Sequence, residues 1–235
     1  MLEFILPVLI FHSAQGLPAS FDSRSVWPSC SSPIISQGSC GSSWAISSVS
    51  VLSDRICIFT PNSTLIPLSA QYLIDCDYIA SGCYGGLPED AWGFLQAFGT
   101  VTESCVPYQG IDNKCPNKCS NGDFKQLIKA QTLIVISGTS IIQNEIFKNG
   151  PVVCSMTLYE DFFQYTGGVY RHVWGFTEGS LSVRVLGWGT SGGSSYWICA
   201  ASLGTSWGIS GYFWIAFGQC EICEFAVTGM PSSSI

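Results

Sequence analysis

The chain has 235 residues, 47% hydrophobic and 11% charged, so it is long enough for one large core or two smaller lobes and is not a disordered polymer. A net charge of −7 and a pI near 4.6 argue against nucleic acid or an anionic membrane surface as a partner. No apolar run reaches the roughly 18 residues that a membrane span needs.

Residues 1–16 read as a signal peptide. Phe4 to Phe11 forms a short apolar stretch, and Ala14 and Gly16 are small residues before a cut at Leu17. The leading segment carries Glu3 and no Lys or Arg, so a buried N-terminal strand is the competing reading. Cleavage would leave a single domain over 17–235, with no propeptide and one histidine, His172. Twelve cysteines behind such a leader point to disulfides formed in an oxidising secretory compartment, either extracellular or lysosomal/vacuolar. Zinc is the alternative, because Cys115–Cys119 and Cys220–Cys223 have ligand-like spacing, but histidine is nearly absent; no metal and no cofactor are expected. Asn62-Ser63-Thr64 is an N-glycosylation sequon.

Residues 17–35 look extended and turn-rich, with Pro18, Pro28 and Pro33. Gln37 to Trp44 is a tight Gly- and Ser-rich turn that opens a helix over Ser43–Ile58, whose apolar face is Trp44, Ala45, Ile46, Val49, Leu52 and Ile56. Ser42 and Ser43 offer N-cap chemistry, with Ser43 as the cap. The positive end of such a helix suits a nucleophile, a thiolate best of all, and Ser43 stands there. Further helices are expected over Leu68–Asp75, capped by Ser69, and over Pro88–Phe98. The connector Cys105–Gly122 is polar and Cys-rich. Beyond it, Thr132–Ser137, Val152–Leu158, Gly168–Val173, Leu181–Leu186, Tyr196–Ala200 and Gly211–Phe217 favour strands, with a helix over Ser140–Lys148. The expected fold is α+β: a helical lobe over roughly 27–110, an antiparallel sheet or barrel over 111–235, and a cleft between them.

The ordered set of motifs resembles the papain family, most closely its cathepsin B branch. It comprises Leu17 to Arg24 with Trp27-Pro-Ser-Cys30, Gln37 to Trp44, Ser53 to Ile58, Gly82-Cys-Tyr-Gly-Gly86, Asn149-Gly-Pro-Val152, Gly168 to His172, Leu186-Gly-Trp-Gly189, Tyr196-Trp197 and Ser206-Trp-Gly208. The resemblance implies a helical left lobe, a β-barrel right lobe and the disulfides Cys30–Cys57, Cys40–Cys83, Cys76–Cys115 and Cys105–Cys119. Cys154 and Cys199 are then expected as small buried hydrophobes, while Cys220 and Cys223 pair locally or stay free.

Carried over position by position, the resemblance places Ser43 at the family's nucleophilic Cys, Leu181 at its His and Ala201 at its orienting Asn. Leu203 takes the place of the Trp that shields that Asn. Gln37 matches the side-chain donor of the oxyanion hole. Gly85 and Gly86 match the strip that binds substrate backbone, with Tyr84 in place of the usual Asn. The cathepsin B occluding loop and its histidines are missing. Leu181 accepts no proton, so the expectation is a monomeric pseudoprotease that binds peptides, propeptides or protease inhibitors. The alternative is a hydrolase using Ser43 with His172 as base, for which Glu178 is the nearest acidic residue in sequence. A third reading has Leu181, Leu203 and Tyr84 filling the groove.

Overall fold

The computed structural model describes residues 16–123 and 125–232; the leader reading falls almost entirely outside them. The stretch expected to be irregular holds a two-residue strand, β1 (Phe21–Asp22), and one helical turn, α1 (Ser23–Val26), capped by the Asp22 carboxylate, which accepts from the Arg24 N–H. The central helix α2 (Ser43–Phe59) is buried on all sides from Ser43 to Cys57. Serines at 43, 47, 48, 50 and 53 let both lobes pack closely onto it. Helix α3 (Ala70–Cys76) starts at Ser69, whose Oγ accepts from the Tyr72 N–H at 3.0 Å. Helix α4 (Pro88–Ala97) has Pro88 in its first turn with Glu89 and Asp90 at its positive end. Trp44, Leu52, Leu73, Trp92 and Leu95 form the centre of this lobe's core. Ile128 and Ala130 join the same core, so the connector packs with the helices up to about residue 130.

The second half contributes β2 (Ile134–Ser137), α5 (Thr139–Asn149), β3 (Val152–Tyr159), β4 (Val169–Tyr170), β5 (Thr177–Ser191), β6 (Ser194–Ala200), β7 (Tyr212–Ala216) and β8 (Phe225–Thr228). The strands lie in the order β2-β8-β3-β5-β6-β7-β4, and β1 pairs with β5. The expected barrel is thereby corrected: the sheet is open, with β2 and β4 at its two ends. Short β4 pairs with β7 in parallel, while the other strand pairs are antiparallel. A bulge between Val185 and Gly187 bends the long strand β5. The lobe's own core gathers Phe21, Met156, Phe162, Leu181, Val183, Trp197 and Phe213.

Two ion pairs fasten α2 to the β lobe, one fully buried and one between a buried Arg55 and a half-buried Glu145. Asp54 accepts from the Arg184 guanidinium at 2.7 Å and from both the N–H and the hydroxyl of Ser32. Arg55 pairs with Glu145 of α5 at 2.8 Å and donates to the carbonyls of Gly150, Pro151 and Gly229. Because every charge has partners, neither pair leaves an uncompensated ion inside.

The disulfides Cys30–Cys57, Cys40–Cys83, Cys76–Cys115 and Cys105–Cys119 are present, so Cys115 and Cys119 hold no thiolate for a metal. A fifth bond, Cys154–Cys223, corrects two expectations: Cys154 is cross-linked rather than a free hydrophobe, and Cys223 pairs across 69 residues rather than locally. Cys199, buried, and Cys220, half-buried, are free.

Candidate functional site

The loop before α2 is held chiefly through its backbone. Gly41 N–H donates to the Cys83 carbonyl at 2.8 Å, and Cys40 is bonded to Cys83. A Cβ on Gly41 would stand 2.7 Å from that carbonyl oxygen, so the close approach requires glycine. Gly86 lies against the Trp44 ring, where a Cβ would meet ring carbon at 2.7 Å, and the Trp44 indole N–H donates to the Gly82 carbonyl. The Tyr108 hydroxyl donates to the Gln37 carbonyl and shares a 2.6 Å bond with the Ser42 hydroxyl.

The helix cap differs from expectation. Ser42 is the N-cap residue and Ser43 the first helical one, and neither hydroxyl bonds a first-turn N–H. Tyr108 draws the Ser42 hydroxyl away. Ser43 is 7% exposed, and its Oγ accepts from the Ser182 N–H at 3.2 Å.

That bond brings α2 onto β5 beside Leu181, which is 2% exposed and pairs with Met156 across the sheet. Ala201 is buried, its N–H donating to the Gly211 carbonyl. Ser202 joins Gln37 twice: its carbonyl accepts from the Gln37 N–H, and its hydroxyl donates to Gln37 Oε1. With the side-chain oxygen engaged by Ser202, the NH2 end of Gln37 is its remaining donor. Leu203 forms a bridge with Ser36. Gln37, Ser43, Leu181, Ala201 and Leu203 therefore share one neighbourhood at the lobe junction. A void of about 20 Å³ adjoins it, lined by Ser47, Ser182, Ala201 and Ser202 among others, with space for about one water.

In chemical terms, Ser43 Oγ meets a backbone donor, and among the described residues no base is hydrogen-bonded to it. A hydroxyl that is to attack must give its proton to a base within hydrogen-bond reach. The Ser182 N–H does the opposite, withdrawing electron density from Oγ.

His172 does have an orienting carboxylate, and it is not Glu178. The His172 Nδ1 lies 3.0 Å from Asp161 Oδ1, and the ring stacks on Tyr159 at 3.7 Å between centroids. Asp161 also accepts from the Tyr170 hydroxyl and from the N–H groups of Val173 and Trp174. Burial opposes its charge, but the donors prevail and hold the carboxyl down to about 2. Sequence proximity favoured Glu178, whereas Asp161, 11 residues before His172, sits on a 3₁₀ turn after β3 that folds back to the ring.

Tyr84 is 94% exposed, which corrects the reading in which it fills the groove. The geometry adds a hollow of about 270 Å³ that sequence reasoning did not find. Ser180, next to Leu181, lines it with Met156, Thr157, Glu221, Glu224 and Phe225. Its signal is visible only in hindsight, as two acids flanking Cys223.

Residues 17–230 match the family described as papain family cysteine protease. The chain is 36% identical over 248 residues to cathepsin B-like CP2 of Giardia intestinalis, covering 97% of this chain and 83% of that protein. It is 38% identical over 226 residues to cathepsin B-like CP3 of the same organism, covering 92% and 76%. Among solved structures, proCathepsin B S9 from Trypanosoma congolense superposes with a TM-score of 0.89 at 34% identity, covering 94% of this chain and 80% of that one. Procathepsin L2 from Tenebrio molitor gives 0.81 at 31%, covering 93% and 69%.

Proposed function

The chain belongs to the papain family of cysteine proteases, as a cathepsin B-like protein, and from that premise we propose that it binds peptides between its lobes without cleaving them. The observation that carries this reading is the state of Ser43: its Oγ accepts from a backbone N–H, and the residue beside that donor is the buried Leu181. Leu181 and Ala201 at the family's His and Asn positions leave no polar group buried without a thiolate to serve.

A peptide ligand is supported by what remains. Gly85 and Gly86 remain glycine, and the Gln37 side chain, held through its oxygen by Ser202, keeps its NH2 as a donor. The hollow beside Leu181 combines an apolar floor, Met156 and Phe225, with the carboxylates of Glu221 and Glu224, which suits a basic side chain. Three of the similar solved structures are procathepsins, so a propeptide or an inhibitor that mimics one is a fitting partner. Five disulfides and an exposed Asn62 sequon support a glycosylated product of the secretory pathway.

The test is titration of fluorescent peptides that differ in one Lys or Leu against disulfide-bonded protein, with hydrolysis followed in parallel. Saturable binding that favours Lys, without product, is expected. Hydrolysis abolished by Ser43→Ala would overturn the reading.

A further inference from the structure

The loop between β4 and β5 turns three bulky apolar side chains to solvent within four residues. Val173 is 78% exposed, Trp174 54% and Phe176 82%. Single exposed apolar residues are ordinary, whereas a group of them marks an interaction surface. The loop backbone is fastened. The buried Asp161 carboxylate accepts from the Val173 N–H at 2.8 Å and from the Trp174 N–H at 3.3 Å. The Glu160 N–H donates to the Phe176 carbonyl at 3.1 Å. Gly175 has φ of 97° and lies against Glu160, where an added Cβ would stand 2.6 Å from the Glu160 Cβ. These bonds hold the main chain and leave the three side chains outside it.

The charge around the loop is acidic. Glu160 adjoins Gly175, and Glu178 follows Phe176 by two residues at the start of β5. The nearest cation in sequence, Arg171, is engaged elsewhere, donating to the Ser194 hydroxyl at the start of β6. An exposed indole and phenyl ring beside carboxylates attract ammonium and guanidinium groups as well as apolar surface. We propose that this loop is a docking surface, outside the lobe junction, for a partner protein that presents a segment in which Lys or Arg alternates with bulky apolar side chains.

Charge selects this partner over the other occupants of an apolar surface. A second copy of the chain would bring the same carboxylates, Glu160 and Glu178, towards each other across a two-fold contact. An anionic lipid surface would meet those carboxylates and a chain of net charge −7. The loop also lies next to the hollow. Thr157 lines the hollow, Tyr159 carries the His172 ring that opens the loop, and the two alternate on the same face of β3, about 7 Å apart. A partner seated on the loop therefore stands beside the opening of the hollow.

The test titrates the disulfide-bonded full chain against a fluorescein-labelled peptide alternating Lys with Leu and Phe, and against its twin with Glu in place of Lys. The Lys peptide is expected to saturate and the Glu twin to bind at least about tenfold more weakly. The double variant Trp174→Ser, Phe176→Ser should weaken the Lys peptide about tenfold or more with an unchanged denaturant midpoint. Gly175→Ala keeps every apolar side chain but displaces the loop, and should weaken it severalfold. Glu224→Gln, in the hollow, separates this surface from the peptide reading of the junction and should leave the affinity within about twofold. Equal binding of the two peptides, an affinity unmoved by the double variant, or an equal loss in Glu224→Gln would overturn the proposal. So would phosphatidylcholine vesicles that bind through Trp174 and Phe176 while the Lys peptide does not, which would point to lipid. A dimer in sedimentation that the double variant dissolves would overturn it in favour of a second copy.

Discussion

On the helical side of the lobe junction, the groups that define the wall are backbone groups. The Gly41 N–H, the Cys83 carbonyl, the strip at Gly85 and Gly86 and the Cys40–Cys83 bond fix its shape. On the β side, the corresponding positions would act through side chains, and these are Leu181, Ala201 and Leu203. A wall made of backbone keeps its form whatever chemistry is lost, because the same contacts hold the core helix. A wall made of side chains can change character one residue at a time without disturbing the strand beneath. The proposed pseudoprotease is the combination: a backbone frame maintained for folding beside side chains released from catalysis.

The comparison can be broken most severely where the walls are fastened together. Arg184→Ala leaves Asp54 buried without its cation and should cost about 3–5 kcal/mol, read as a drop in the denaturant midpoint. Gly41→Ala attacks the backbone wall directly. Its Cβ meets the Cys83 oxygen, and a loss of about 2–3 kcal/mol is expected by the same measurement.

Asp161→Asn probes the β-lobe rim and should cost about 2 kcal/mol near neutral pH, since it replaces a carboxylate that accepts four bonds. The sign of its pH dependence follows from a folded carboxyl held at about 2, below its unfolded value. The stabilisation is present above roughly pH 4 and is lost as the pH falls towards 2. The variant's stability should therefore decline less steeply than the parent's over that window in acid titrations. Ser43→Ala should have the smallest effect, about 1 kcal/mol, from one backbone donor left unmatched.

Much of this was legible in the sequence, and the misses share a cause. Helix α2 showed through its apolar periodicity, α3 through its Ser69 cap and α4 through Pro88 and the acids of its first turn, and most strands showed through β-branched and aromatic runs. Strand β1 was invisible because two residues carry no period; they are a strand only because β5 runs beside them. β8 lay behind the Cys-rich turn, and the open ends of the sheet are a property of pairing order rather than of any one strand. The Cys154–Cys223 bond joins residues 69 apart, and the Asp161–His172 pair joins two loops 11 residues apart across a short strand, and neither partnership is encoded by local spacing. At the junction the residue types were readable, but their use was not. Ser43 looked like a cap, yet its hydroxyl faces β5, because Ser42 takes the cap position.

The central claim is that the frame survives while the reacting groups are gone. Its most direct test is hydrolysis of a fluorogenic peptide by three proteins side by side: the parent, Ser43→Ala, and the triple variant Ser43→Cys, Leu181→His, Ala201→Asn. Background rates are expected for the first two and thiol-dependent turnover at least tenfold above background for the third. Turnover by the parent that disappears in Ser43→Ala would contradict it.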